Sequence, residues 1–402
     1  MITFKDIQKA QELIGNQIIK TPCTYSTTLS EHTNCNVFLK LENLQFTGAY
    51  KVRGALNRLM NLTEDEKAKG VIASSAGNHA QGVALAAKKL GIKATIVMPE
   101  TTPLSKIQGT KKFGANVILH GNFYDEAYQK AQEIQAKKGY IFIHPFNDDD
   151  IIAGQGTIGL EVFDALPDLD IVVVPIGGGG LISGISIALK TLNPKIRIVG
   201  VEAEQMAAMK ASVEAKKIVE VPKAKTIADG IAVTTVKENT FEIVSKYVDE
   251  IVTVTEPEMA QSIMMLLEVE KILVEGAGSA AFAALSHGKI SNIDGKKVGV
   301  IISGGNIDVN FLSRVIERGL SEDGRLTTLK IMVPDTPGII SEISKIVSDH
   351  GANIVDIHHN RTFSNTHLGQ TAVHITLETK GHKHIKEIIS SIKKTGLNVL
   401  KN

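Results

Sequence analysis

Short apolar runs rich in β-branched residues recur along most of the chain, at 37–41, 71–73, 95–98, 117–119, 171–174, 196–201 and 298–302. Runs of this length, bounded by Gly, Pro and polar residues, predict buried strands. Between several of them lie Ala- and Lys-rich stretches with helical periodicity. One spans 80–90, and Gly91 marks its end. Alternating strands and helices predict an α/β fold with parallel strands and crossover helices on both faces. Ligands in such sheets sit at the carboxyl ends of strands, beside loops that open helices.

The pattern breaks at Ser321-Glu322-Asp323-Gly324-Arg325, which predicts a linker over 321–326 between a first domain, 1–320, and a second, 327–402. The second domain has its own rhythm. Strands are expected at 329–333, 353–358 and 372–377, with a short one at the end. Helices are expected from Pro337-Gly338 to 350 and over 384–394. The order β-α-β-β-α-β is the ferredoxin-like motif.

Composition narrows the function. A chain of 402 residues, 43% of them hydrophobic, fits two or three domains, and with 4% aromatics and no Trp its core rests on Ile, Val, Leu and Ala. The net charge of +1 offers no basic face for nucleic acid. No apolar run approaches the ~18 residues needed to span a bilayer, and the N-terminus has no apolar signal region. Cys23 and Cys35 fit no zinc or CxxC pattern and suggest a reducing compartment. The expectation is a soluble, cytoplasmic protein without nucleic-acid or membrane partners. The 35 glycines direct attention to contacts between backbone and ligand.

Two glycine clusters stand out. Gly154-Gln155-Gly156-Thr157-Ile158-Gly159 matches the dinucleotide fingerprint, but polar Asn147-Asp148-Asp149-Asp150 precedes it where an apolar strand is required. Close helix packing is the plainer reading. Gly177-Gly178-Gly179-Gly180 instead follows the apolar run ending at Pro175 and precedes an apolar helix from Leu181. Bare N–H groups there, with a helix N-terminus behind them, form an anion cradle. Ile182 and Ser183 break any GxGxxG frame, and no GK[ST] follows, so the phosphate belongs to neither a dinucleotide nor ATP. Glu202, at the end of the next strand, is the one feature that suits a ribose-binding acid.

Three further segments follow predicted strands. Lys51 lies at a helix start, where the dipole and burial would lower its pKa and make it nucleophilic. Taken alone, such a lysine is ordinarily a solvated surface residue. Ser74-Ser75-Ala76-Gly77-Asn78-His79 opens the helix over 80–90 as a second anion loop, or as an ordinary N-cap. Ser303-Gly304-Gly305-Asn306 follows the last strand of the first domain.

Together these segments resemble the threonine dehydratases (threonine ammonia-lyases) of the fold-type II pyridoxal-phosphate enzymes, related to the tryptophan synthase β fold. The stretch Lys40-Leu41-Glu42-Asn43-Leu44-Gln45-Phe46-Thr47-Gly48-Ala49-Tyr50-Lys51-Val52-Arg53-Gly54-Ala55 looks like the family's cofactor-lysine segment. The tail resembles an ACT domain, with Asp335-Thr336-Pro337-Gly338 at the expected turn. The resemblance implies two parallel-sheet subdomains, the smaller at about 50–150. It implies pyridoxal 5'-phosphate carried by Lys51, with Asn78 on its ring hydroxyl and Ser303 on its ring nitrogen. Gly177, Gly178, Gly179, Gly180 and Leu181 would hold its phosphate. Ser75, Asn78 and His79 would hold the substrate carboxylate, with Lys51 as the catalytic base. The implied reaction is elimination of water and ammonia from L-threonine or L-serine, within isoleucine synthesis or threonine breakdown.

Departures from the family also inform. Ala76 stands where related serine racemases carry a catalytic serine, which argues against racemisation, and Ala208 replaces an acidic partner of Glu202, so no metal is expected. The ACT resemblance implies a homodimer or homotetramer and an amino-acid effector at Pro337, Gly338 and Asn353. Within the same fold a serine-preferring dehydratase is the nearest rival, with threonine synthase and cysteine synthase more distant; outside it stand a nicotinamide dehydrogenase using 154–159 and an amino-acid sensor built on a dead enzyme.

Overall fold

The apolar runs fold into three sheets in a computed structural model that describes residues 2–360 and 369–401. The chain divides into two compact units, Met1–Asp308 and Val309–Asn402.

The first unit contains two sheets. The larger orders its strands Cys23–Ser26, Asn36–Leu41, Lys297–Ile302, Ile171–Pro175, Arg197–Ala203 and Glu250–Val254. All neighbours are parallel except the first pair. The smaller sheet is wholly parallel, in the order Asn116–Leu119, Ala94–Met98, Val71–Ser74 and Ile141–Phe142. All four of its strands fall in sequence between Asn36–Leu41 and Ile171–Pro175 of the larger sheet. Central strands such as Ile171–Pro175 are buried at every position, as expected of a sheet covered on both faces. Cys23–Ser26, Ile141–Phe142 and Glu250–Val254 were not anticipated. The first two are short, and all three are edge strands with only partial burial, so their apolar patterns are weak.

The helix expected over 80–90 runs Asn78–Leu90 and stops as predicted, with Gly91 in the left-handed region at φ +68°. The fingerprint glycines lie inside the helix Asp149–Ala165, capped by the Asp148 carboxylate, which accepts from the Ile151 N–H. They serve packing. A Cβ on Gly154 would stand 2.6 Å from the Gly54 Cα, and one on Gly159 would stand 2.8 Å from the Ala188 Cβ. With no loop at the glycines, no dinucleotide pyrophosphate can be cradled there, which removes the dehydrogenase reading. Glu202 is likewise committed: its two carboxylate oxygens accept from the Met209 and Lys210 N–H groups at 2.9 and 2.7 Å, capping the helix Ala208–Ala215.

The second unit opens with the helix Val309–Glu322, which packs on the strand Leu326–Pro334. That helix lies within the span expected for the first domain and extends into the stretch expected as linker. Its antiparallel sheet is ordered Asn353–Asn360, Gln370–Glu378, Leu326–Pro334 and Asn398–Lys401, with helices Ile339–Asp349 and His382–Lys394. This is the β-α-β-β-α-β arrangement. Leu329, Ile331, Ile343, Val347, Ile375 and Ile388 are buried in its separate core.

Candidate active site

Backbone bonds in the first unit tie two of the predicted segments together. The Tyr50 N–H donates to the Ser303 carbonyl at 3.2 Å, and the Gly305 N–H donates to the Gly48 carbonyl at 2.8 Å. Gly48 sits at φ +69°, a conformation that favours glycine. Lys51 thus starts its helix, Lys51–Met60, beside Ser303, which lies 252 positions later in the chain by number and is buried.

Lys51 is half-buried by surface area, but its amine lies deep. Burial holds the amine down at about 8, against the opposing pull of Glu275. Its Nζ donates to the Pro145 carbonyl at 3.0 Å and lies 5.3 Å from the Tyr50 ring centroid. Among the described residues no carboxylate forms an ion pair with it.

The tetraglycine occupies the turn from the strand Ile171–Pro175 into the helix Gly180–Leu192. Gly179 requires φ +90°. Its neighbours are fixed by crowding. A Cβ on Gly177 would stand 2.9 Å from the Ile231 Cα, and one on Gly178 would run into the Phe146 ring. The four glycines bring no side chain of their own into the loop, and the Gly180, Leu181 and Ile182 N–H groups at the helix start are left for an anion.

The Ser75 loop leaves the end of the strand Val71–Ser74. The Ser75 hydroxyl accepts from the Gly77 N–H at 3.2 Å. Asn78 Nδ2 donates to Glu275 Oε1 at 2.6 Å, while Asn78 Oδ1 accepts from Asn306 Nδ2 at 2.8 Å. His79 turns inward, and its Nε2 lies 2.9 Å from the Ile143 carbonyl. A carbonyl only accepts, so Nε2 carries the proton and buried Nδ1 is left without a partner. Burial, then the Lys51 charge, hold this imidazole at about 3, so it is neutral at physiological pH. Toward the Ser75 loop His79 therefore offers its backbone N–H rather than its ring.

A family model described as pyridoxal-phosphate dependent enzyme matches residues 14–304, and one described as ACT domain matches 327–396. An L-threonine ammonia-lyase of Thermotoga maritima is 50% identical over 388 residues, 96% of this chain and 96% of its own length. The chain belongs to the pyridoxal-phosphate dependent threonine ammonia-lyase family. A second such lyase, from Geobacter sulfurreducens, is 45% identical over the full length of both chains. Among solved structures, the processed form of threonine deaminase isoform 2 from Solanum lycopersicum superposes with a TM-score of 0.75 at 37% identity, covering 78% of this chain and 92% of its own. Maize serine racemase superposes with a TM-score of 0.75 at 35% identity, covering 80% and 98%.

Pyridoxal phosphate is the family's cofactor, and the residues present fit it. The glycine turn leaves no space for side chains of its own, and the enclosed amine forms no ion pair among the described residues. Buried Ser74 Oγ and Ser183 Oγ, next to the Ser75 loop and the tetraglycine turn, have no hydrogen-bond partner among the described residues.

Tertiary structure adds residues that the motifs did not reveal. Pro145 and Phe146 come from the loop after the strand Ile141–Phe142, where the His144 ring accepts from the Phe146 and Asn147 N–H groups. A Pro within a short loop after an apolar pair was the available signal. Glu275, just before the helix Gly276–Ser286, joins Asn78, and Asn306, the last residue of the Ser303 segment, gains a partner that the motif did not indicate. Glu275 is only 6% exposed. Burial, and then the charge of Asp229, push its carboxyl up to about 7, against the Asn78 bond, Lys106 and the Asn306 N–H.

In the second unit Gly338, at φ +96°, precedes the helix Ile339–Asp349, and Asn353 follows it. Asn353 Nδ2 donates to Glu378 Oε2 at 3.3 Å. Among the described residues no helix is long and apolar enough to cross a membrane, and no group of three His, Cys, Asp or Glu could hold a metal ion.

Proposed function

We propose that the chain converts L-threonine to 2-oxobutanoate and ammonia by eliminating water, and acts in the same way on L-serine. The observation that carries this is the Lys51 amine: enclosed, held at about 8, bonded to the Pro145 carbonyl and in no ion pair among the described residues. When bound, the cofactor supplies an electron sink for negative charge at the substrate α-carbon. Gly177 to Leu181 hold its phosphate, Asn78 its ring hydroxyl and Ser303 its ring nitrogen. The serine hydroxyl, unlike a carboxylate, does not enforce a full positive charge on the ring, which favours elimination over transamination.

Lys51 then serves as base. The neutral form of its amine would take the α-proton, and desolvation, by lowering the amine to about 8, raises the neutral fraction available near physiological pH. The Ser75 loop binds the substrate carboxylate through the Asn78 and His79 N–H groups, reinforced by the start of the helix Asn78–Leu90. The neutral His79 ring adds no positive charge of its own to that loop. Purified protein should be yellow and release 2-oxobutanoate from L-threonine and pyruvate from L-serine. A colourless protein that stays inactive with added pyridoxal phosphate would overturn the reading.

We further propose that an amino acid, isoleucine or valine, regulates the enzyme at Pro337, Gly338 and Asn353. The last two flank the helix Ile339–Asp349, at its opposite ends, so one ligand reaching both draws them from two copies. This supports a homodimer or homotetramer as the working form. Free Cys23 and Cys35 accord with the cytoplasm. Kinetics unchanged by every proteinogenic amino acid would count against the regulatory reading.

A further inference from the structure

We propose that Glu275 is a positioning residue for the cofactor, holding the Asn78 amide so that its uncommitted N–H faces the ligand. The proposal rests on assigning Lys51 and Asn78 to the cofactor. The hydrogen-bond pattern fixes the orientation. Asn306 Nδ2 donates to the Thr47 carbonyl at 2.7 Å and to Asn78 Oδ1 at 2.8 Å, which uses both of its hydrogens. Asn78 Oδ1 is therefore committed as an acceptor on that side. Its Nδ2 faces Glu275 Oε1 at 2.6 Å and spends one hydrogen there. One Nδ2 hydrogen remains, so Asn78 presents a donor to whatever occupies the site. A donor suits an oxygen carrying negative charge, such as a ring phenolate.

Glu275 is itself firmly placed. It immediately precedes the helix Gly276–Ser286, and its N–H donates to the Gly304 carbonyl at 3.1 Å. A Cβ on Gly304 would run into Glu275 Oε1 and stand 3.1 Å from Asn78 Nδ2, so the space around the pair is closed. The charged and titratable groups facing the carboxyl are Lys51 and Tyr50 from the start of the helix Lys51–Met60, Asp229 from the short helix Asp229–Ile231, and Lys106 from Leu104–Lys112. Lys106 and Asp229 pair with each other, so their charges partly cancel and Glu275 is left to titrate in the neutral range. Its ionisation places a negative charge one hydrogen bond from the Asn78 amide.

Three variants test this, read by pyridoxal-phosphate affinity of the cofactor-free protein and by the visible spectrum from pH 6 to 9. Glu275→Gln keeps an acceptor for Asn78 but cannot ionise. Its affinity should stay within about threefold of wild type, less than the worth of one hydrogen bond, while a band shift centred near pH 7 in the wild type disappears. Glu275→Ala should weaken affinity about tenfold, the worth of one charge-assisted hydrogen bond. Adding Asn78→Ala to Glu275→Ala should cost little more, because the two act as a unit. Wild-type affinity and an unchanged pH-dependent spectrum in Glu275→Ala would overturn the proposal, as would Glu275→Gln binding no better than Glu275→Ala. If Glu275→Ala does not fold by circular dichroism, the Glu275→Gln pH profile decides alone. Lys51→Ala tests the underlying assignment separately, for a retained visible band there would sink that assignment whatever Glu275 does.

Discussion

Two buried lysines, 11 positions apart by number, meet opposite fates. Lys40 is 1% exposed, and its Nζ lies 2.5 Å from Glu161 Oε2 and 4.0 Å from Glu42 Oε1. Arg53, fully buried, joins the same two carboxylates at 2.7 to 2.9 Å. Two cations and two anions thus balance, and Thr21 and Thr157 add hydrogen bonds. Among the described residues Lys51 forms no ion pair, and its Nζ donates to the Pro145 carbonyl. The difference shows how one segment supports both structure and chemistry: matched buried charges lock the helix to its neighbours, and the unmatched one gives up its proton readily. Arg53 is two residues from Lys51, so the locked cluster also anchors the start of the reactive helix.

The comparison can be broken most severely at Lys51. Lys51→Ala should lower kcat on the order of 10³-fold or more, with loss of the visible band. Its thermal unfolding should hardly change, because no ion pair is broken. Lys40→Ala should do the reverse in kind. Removing one member of the buried cluster leaves uncompensated negative charge and should cost about 3–5 kcal/mol in chemical denaturation. A Lys40→Ala protein as stable as wild type would end the distinction. The smallest effect is kinetic. The rate at which the cofactor-free protein takes up pyridoxal phosphate should rise with pH and level off above about 8, the value to which burial lowers Lys51. The sign follows from the amine reacting only when neutral. Below 8 the slope should approach about tenfold per pH unit, and a profile that still climbs at that slope through pH 9 without levelling off would place Lys51 in an ordinary solvated setting.

Much of the site was legible because its segments carry local signals. The tetraglycine, the Ser75 loop and the Ser303 segment each follow a β-branched run, and the two sheets place all three at strand ends. Gly91 and the 154–159 glycines were also legible, the first as a helix stop and the second as packing. Cys23–Ser26 and Glu250–Val254 were not, since a partly exposed edge strand needs few apolar residues. Nor was the role of Glu202, because a carboxylate several residues before a helix does not announce that it will fold back as a cap.

By itself the sequence determined which residues could do chemistry and the order of elements that would carry them, since periodicity and turn residues are properties of neighbouring positions. Only the tertiary structure decided which of those residues are reactive. Asn78 and Glu275 are 197 positions apart and meet only after both subdomains have formed. The lowered Lys51, the neutral His79 and the raised Glu275 all follow from lost hydration and from charges brought close by folding. Neither the lost water nor the new neighbour exists in the extended chain, so no local pattern can encode the result.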